Sequence, residues 1–416
     1  MRLLCLSNGH GEDIIALRIL QALQQHPDCA RICPTIEVLP IVGEGHVYQK
    51  AGFPLIGSVK TMPSGGFIYM DGRQLARDIQ GGLLKLTLEQ IKTVRSWAQE
   101  TEDSFILAVG DIVPMLFAWM SGAPFAFVGT AKSEYYLRDE KGWLPRSSWW
   151  DDRVERSTGC IFQPWERWLM RRPNCKAVFP RDHITTSILK RFNVPAFDLG
   201  NPMMDGLEWN ADRVSQVSAD TLTLALIPGS RPPEVYANWE LILRALDGMI
   251  GQMDRPLVCL AAISAGLDLD EIHQKLSLYR WRQIDSNTYI TGLGDHKITL
   301  TLMPGRFAEC IQRADVAIAL AGTATEQFVG LGKPAISIPG AGPQFTPAFA
   351  EAQTRLLGAS VTLVESPNRV GAELRSLLGN PDRLQTIAEN GHRRMGDPGA
   401  ADRIADCLLQ PMQRKS

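Results

Sequence analysis

Cysteine is scarce in this chain: eight are scattered over 416 residues and none forms a C-x-x-C pair. The nearest spacing, Cys29 to Cys33, has no His or Cys cluster beside it to complete a zinc site, so reduced and mostly buried thiols are expected. A surplus of one charge is also missing. Lys and Arg total 43 against 45 Asp and Glu, a net charge of -2, which excludes the basic excess of a dedicated nucleic-acid binder. The N-terminus lacks the apolar run of a signal peptide, because only four apolar residues precede Ser7-Asn8-Gly9. Long hydrophobic runs are absent as well. Residues 105–128 carry Asp111 as their only charge, yet Gly110, Pro114, Gly122 and Pro124 cut the stretch into strand 105–109, helix 113–120 and strand 125–128.

What is present is an ordinary globular composition, 45% hydrophobic and 21% charged. At about 150 residues per domain the length predicts two or three domains. Short apolar runs alternate with amphipathic stretches: strand 3–6, a helix over 14–23 with Ile14, Leu17, Leu20 and Leu23 on one face, strand 35–39. This alternation predicts α/β architecture with parallel sheets. A second start follows residue 205, with strand 222–227, a Gly turn, a helix over about 239–250, then strands 257–263, 298–302, 316–320 and 335–338. The polar stretch 201–221 reads as the linker. The expected organisation is a first Rossmann-like domain over 1–205, a second over 206–397 facing it across a cleft, and a C-terminal helix over 398–416 that crosses back or swaps into a second copy.

Four strand-end loops are candidates for chemistry. Ser7-Asn8-Gly9-His10-Gly11-Glu12-Asp13 joins the first strand to the first helix, where glycine permits close backbone approach and helix amides attract anions. A dinucleotide fingerprint fails there, since its third glycine falls on Ile14, so Glu37 as a ribose acid for a nicotinamide cofactor is not favoured. His10 reads equally as a proton carrier and as a loop-stabilising hydrogen bonder. Asp111, after the buried strand 105–109, reads as a catalytic acid or as the cap of the next helix. Pro228-Gly229-Ser230-Arg231, with Glu234 following, offers a turn, a hydroxyl and a guanidinium suited to a diphosphate. Ala321-Gly322-Thr323-Ala324-Thr325-Glu326-Gln327 places small residues before helix amides, with an acid or amide one turn in for ribose hydroxyls. Pro339-Gly340-Ala341-Gly342-Pro343-Gln344 closes a further strand beside the same site. Asp268-Leu269-Asp270 reads as an acidic first helical turn rather than a metal motif, so no metal is expected.

Residues 143–172 stand apart. Trp143, Trp149, Trp150, Trp165 and Trp168 alternate with Arg146, Arg153, Arg156, Arg167, Arg171 and Arg172, half of the ten tryptophans in one segment. The mixture suits a membrane interface; a packed helix with a solvated basic face is the plainer alternative.

At these loops the chain resembles a known family. Leu224 to Arg231 with Glu234-Val235 resembles the donor signature of lipid-A-disaccharide synthases and the proteins related to them. Gly322-Thr323-Ala324-Thr325 leading to Gly332-Lys333-Pro334 is similar to their second signature, and Gly200-Asn201-Pro202-Met203-Met204-Asp205 to their interdomain segment, with Asn201 where the family has His. The resemblance implies a GT-B fold and metal-independent, inverting transfer from a UDP-sugar to a lipid-linked acceptor. Carried over, Gly229, Ser230 and Arg231 contact the donor diphosphate, Gly322, Thr323 and Ala324 present amides to it, and Thr325 and Glu326 extend the same loop. The family's ribose-binding Glu falls on Gln327. His10 sits in a loop similar to the His-containing loop of peptidoglycan N-acetylglucosaminyltransferases, and Asp111 falls near the family's catalytic acid. Asn8, Gly9, Gly11 and Glu12 then form the acceptor-side loop. The expectation is a glycosyltransferase taking a nucleotide-sugar and a lipid-type acceptor, cytoplasmic or peripheral at the inner face of a membrane, with no cofactor and either monomeric or homodimeric. The alternatives are a UDP-sugar 2-epimerase or hydrolase, and a non-catalytic nucleotide-sugar or lipid-binding descendant.

Overall fold

The computed structural model describes residues 1–9, 11–29, 34–59, 83–145, 156–208, 221–251, 253–292, 297–340, 342 and 344–413. They fall into two compact units, Met1–Gly206 with Asp397–Ser416, and Leu207–Gly396.

The first unit carries strands β1 (Arg2–Ser7), β2 (Thr35–Pro40), β3 (Ser104–Gly110) and β4 (Phe125–Gly129). A short hairpin follows, β5 (Arg138–Asp139) and β6 (Gly142–Trp143), then β7 (Cys175–Phe179). Five of them form an all-parallel sheet in the order β2-β1-β3-β4-β7. Helices cover parallel sheets on both faces, which is why β3 and β4 are buried along their whole length. The apolar pattern does not single out β7, because Lys176 interrupts it; the lysine is exposed on an edge strand, where a charge is tolerated. The helices are α1 (Gly11–Gln25), α2 (His46–Lys50), α3 (Leu83–Gln99), α4 (Ile112–Ser121), α5 (Pro164–Met170) and α6 (His183–Arg191). The buried face of α1 is Ile15, Ala16, Ile19, Leu20 and Leu23, whereas Ile14 is 45% exposed. The expected face is therefore turned by about one residue. Asp13 sets this rotation, since its carboxylate is buried against Ser7 and Tyr48.

The second unit carries β8 (Leu222–Ile227), β9 (Leu257–Ile263), β10 (Arg282–Asp285), β11 (Thr288–Thr291), β12 (Ile298–Pro304), β13 (Val316–Ala319), β14 (Ala335–Ser337) and β15 (Val361–Leu363). Their order is β10-β11-β12-β9-β8-β13-β14-β15, parallel from β12 to β15 with an antiparallel hairpin at the other edge. The parallel part is the doubly wound order of a dinucleotide-type fold. Its helices are α7 (Glu234–Asp247), α8 (Leu269–Leu278), α9 (Phe307–Arg313), α10 (Thr323–Gly330), α11 (Pro347–Leu357), α12 (Val370–Leu378) and α13 (Pro381–Met395). Helix α7 starts earlier than its apolar periodicity suggests. Pro233 precedes it with φ already near the helical value, and Glu234 suits the first turn. Trp239, Ile242, Leu243 and Leu246 then point into the core. Asp268 caps α8 through Asp270 N–H at 2.9 Å, the acidic first turn expected there.

The last helix, α14 (Ala400–Gln413), belongs to the first unit and packs on α1. It is fixed at its start by Asp205, which accepts from Gly399, Ala400 and Ala401 N–H at 2.6, 3.2 and 2.7 Å. Further along, His26 Nε2 meets Asp406 at 2.8 Å. The interdomain-type motif is thus structural. Asn201 caps the turn Pro202–Met204, and Arg18 donates to the carbonyls of Pro202 and Met203 at 2.9 and 3.1 Å. Of the polar stretch 201–221, residues 209–220 lie outside the described residues.

Candidate functional site

Strand order reverses between β1 and β3 in the first sheet and between β8 and β13 in the second. In open α/β sheets the ligand crevice opens at such points, outside the carboxyl ends of the strands. Four of the sequence-selected loops follow strands flanking these two points, and the fifth, 339–344, follows β14 one strand further out.

In the first unit, β1 ends on Ser7 and the chain turns at Gly9, whose φ of 96° and contact with Val42 leave no room for a side chain: an added Cβ would lie 2.4 Å from Val42 O. The turn is held by Asp13. Its Oδ1 accepts from Ser7 Oγ at 2.5 Å and from Gly9 N–H at 3.1 Å, and Tyr48 Oη donates to Ser7 Oγ at 2.8 Å. Burial pushes the Asp13 carboxyl up to about 6, and the three donors pull it part of the way back. His10 lies outside the described residues. Asn8 packs against Gly110, which brings the ends of β1 and β3 together.

Asp111 follows Gly110 and caps α4, accepting from Val113 N–H at 2.8 Å. That is the plainer of the two expected roles. The acid with altered chemistry is its neighbour Glu12, placed one residue into α1. Thr130 Oγ1, 118 residues away at the end of β4, lies 3.4 Å from Glu12 Oε1. Protein packed around the carboxyl pushes it up to about 7, and the charges of Asp111 and Asp13 add to this; its own backbone and Thr130 oppose it. Sequence reading placed Glu12 only as a loop residue. Thr130 was not foreseen, and no local signal announces it. Glu37, in β2, accepts from Arg2 at 2.8 Å and Trp97 Nε1 at 2.7 Å, so it is a structural acid.

In the second unit, Pro228 is buried at the end of β8, Ser230 is exposed and Arg231 is half-buried. The loop after β13 leads into α10 through Gly322. Thr325 and Glu326 N–H return to the Gly322 carbonyl at 3.0 and 3.2 Å, and Thr325 Oγ1 donates to Ala321 O at 2.6 Å. Thr323 is exposed, Ala324 and Gln327 half-buried, while Glu326 is only 7% exposed and directed into the fold. Lys333 of the second signature donates to the carbonyls of Ile311 and Gln312 at 2.8 and 2.7 Å, closing the end of α9. Burial lowers its ammonium to about 8, against the raising effect of Asp315. Ala341 and Pro343 lie outside the described residues. Among the described residues no group of three His, Cys, Asp or Glu side chains is placed to hold a metal ion.

The Arg/Trp segment divides by burial. Arg167 is 7% exposed, stacked on Phe192 and donating to Thr158 O at 3.0 Å, so it is part of the core. Trp143 is covered by Arg138 and Arg156. On α5, Trp165 is 59% and Trp168 44% exposed, with Trp119 of α4 against Trp168 and Arg172 over its other ring contact at 4.0 Å. Arg171 is exposed beside them. Arg146, Trp149, Trp150 and Arg153 lie outside the described residues. Among the described residues no helix is long and apolar enough to cross a membrane.

Comparison with known proteins places this fold. Over 99% of the chain it is similar to S. aureus MnaA solved with UDP (97% of that chain, TM-score 0.57, 13% identity). It is likewise similar to UDP-GlcNAc 2-epimerase from Neisseria meningitidis bound to UDP-GlcNAc, over 99% of this chain and all of that one (TM-score 0.55, 14% identity). MurG from Acinetobacter baumannii aligns over 98% of this chain and 99% of its own, with TM-score 0.52 and 15% identity. The fold is thus GT-B-like, shared by glycosyltransferases and UDP-sugar epimerases. In sequence the chain is similar to a lipid-A-disaccharide synthase from Syntrophus aciditrophicus (strain SB), 25% identical over 241 residues, which is 51% of this chain and 56% of that relative. The match therefore spans about half the length of that curated relative. The resemblance read from the donor signatures is to this same family. No protein-family model matches the chain.

Proposed function

We propose that this protein is a nucleotide-sugar glycosyltransferase that moves a sugar from a UDP-linked donor to a lipid-type acceptor. The observation that carries the proposal is the pairing of Gly229-Ser230-Arg231 and Gly322-Thr323-Ala324 after the two strands that flank the switch point of the second sheet. A guanidinium and the free amides at the start of α10 together suit a diphosphate. In the proposed step the acceptor hydroxyl attacks the anomeric carbon and its proton passes to a general base. The bond from that carbon to the diphosphate oxygen breaks, and the leaving charge settles on Arg231 and the α10 amides. Glu12 suits the base, because a carboxyl pushed up to about 7 is basic enough to accept a proton and still ionises near neutrality. His10 remains the alternative base, and Asp111 acts on Glu12 through its charge. Gln327 takes the ribose position. The exposed Trp165 and Trp168 with Arg171 and Arg172 suit contact with an anionic membrane surface that presents the acceptor.

The second reading is donor-only chemistry, a UDP-sugar 2-epimerase or hydrolase. It is favoured by the grouping of Glu12, Asp13 and Asp111, since such chemistry uses several carboxylates. Incubation with UDP-N-acetylglucosamine, with and without lipid acceptors, separates the two readings by product analysis. UDP release that depends on acceptor supports transfer; turnover of donor alone replaces it with the second reading. Arg231→Ala is expected to weaken UDP binding by about tenfold or more, and unchanged affinity removes the diphosphate assignment.

A further inference from the structure

Glu234 belongs to the first donor signature, yet the reaction proposed above gives it no task. It opens α7, is 7% exposed, and points away from solvent into the loop that follows β14. Its carboxylate accepts from Gln344 N–H at 3.1 Å through Oε2 and from Phe345 N–H at 2.5 Å through Oε1. Gly342 lies directly against it: a Cβ there would fall 2.3 Å from Glu234 Cγ and Cδ. One turn along α7, Asn238 donates to Pro228 O at 3.0 Å and Leu320 O at 3.3 Å, and Gly340 packs on its amide oxygen. From α11, Gln353 donates to Ala321 O at 3.0 Å and Gly322 O at 3.3 Å. Three strand-end loops, after β8, β13 and β14, are therefore tied to one another by side chains of two helices.

We propose that Glu234 is a positioning residue that clamps the Gly340/Gly342 loop beside Gly229-Ser230-Arg231 and so holds the donor loops in register. The inference rests on the donor-site reading above. Backbone N–H groups occupy both carboxylate oxygens, and the positive end of α7 compensates their charge. Glu234 accordingly acts on the donor through the loop, not by touching the sugar. Gly342 is required because the clamp closes to a distance that no side chain permits.

The test uses the full chain, UDP as probe, and the variants Glu234→Gln, Glu234→Ala, Gly342→Ala and the Glu234→Ala/Gly342→Ala double. Wild type binds UDP; Glu234→Ala and Gly342→Ala each weaken binding about tenfold or more, and Glu234→Gln, which keeps one acceptor oxygen, falls between. The double variant binds no more weakly than Glu234→Ala alone, because removing the carboxylate makes room for the new methyl group. Amide hydrogen exchange quickens at Gln344 and Phe345 in Glu234→Gln while the protection of β8 and β13 stays at its wild-type level, which separates loss of the clamp from loss of the fold. Equal UDP affinity across all variants overturns the positioning role and leaves the donor site standing. A wild type that binds no UDP overturns the donor reading and this inference with it, even where the exchange pattern shows the clamp itself.

Discussion

The Asp205 carboxylate lies across the start of the C-terminal helix, accepting from Gly399 N–H at 2.6 Å. The two residues are 194 positions apart, and Ala400 and Ala401 donate to the same side chain. A charged cap on three otherwise orphaned donors joins the end of the chain to its first unit. Asp205→Ala leaves those donors buried without a partner and is expected to destabilise the first unit by about 2–3 kcal/mol. Asp205→Asn keeps an acceptor and loses less. Urea denaturation followed by hydrogen exchange in α14 measures both; an unaltered midpoint for Asp205→Ala shows that the helix is held by its apolar face alone.

Glu12 gives a pH dependence of known sign. Its carboxyl is shifted from 4.5 to about 7, so the folded protein binds this proton more tightly than the unfolded chain does. Its contribution to stability is greatest below about pH 4.5 and is lost as pH rises to about 7. Glu12→Gln flattens that part of the stability profile, read from thermal midpoints between about pH 4 and 8. The proposed sugar transfer is expected to have the opposite slope, rising as Glu12 ionises near pH 7. A rate profile unaffected by Glu12→Gln assigns the proton to another group.

Lys333 sits in a segment that resembles the second signature, but its ammonium faces the carbonyls that end α9. Lys333→Met preserves the stem and strands those carbonyls, costing about 1–3 kcal/mol without changing UDP affinity. Because burial lowers this lysine from 10.5 to about 8, the unfolded chain binds more protons in that interval. Wild-type stability from this group therefore rises with pH there, and the methionine variant lacks the rise. Isothermal titration with UDP decides the functional half: a large loss of affinity at unchanged stability brings Lys333 into the donor site.

The uninterrupted apolar strands made the centres of both sheets legible in the sequence, and glycine loops after β1, β8 and β13 marked the two switch points, whereas β7, β10, β11 and β15, at or beside the sheet edges, did not stand out. What escaped depends on contacts distant in sequence. The rotation of α1 follows from where Asp13 is buried, not from the spacing of its leucines. Asp111 satisfied two local descriptions equally, and only the contact with Val113 N–H shows its capping role. Arg167 and Arg171 look alike in an Arg/Trp-rich segment, yet one is stacked on Phe192 inside the unit and the other is exposed. Glu12 is singled out as the proposed base by burial and by a threonine 118 residues away, neither of which its local sequence announces.

The exposed aromatic and basic surface of α5 makes the last prediction. Trp165 is 59% exposed, so Trp165→Ser tests membrane contact at a modest cost to folding. Arg171 and Arg172 supply the charge, each worth about 1 kcal/mol near an anionic surface. The Arg171→Gln/Arg172→Gln pair is expected to lower partitioning onto vesicles rich in phosphatidylglycerol by about thirtyfold, and Trp165→Ser to lower it on anionic and neutral vesicles alike. Added salt weakens the wild-type binding and leaves the remainder, carried by tryptophan, in place. Flotation that is equal for wild type and all variants, or absent from both vesicle types, removes the membrane from the proposed reaction and points to a lipid acceptor delivered in soluble form.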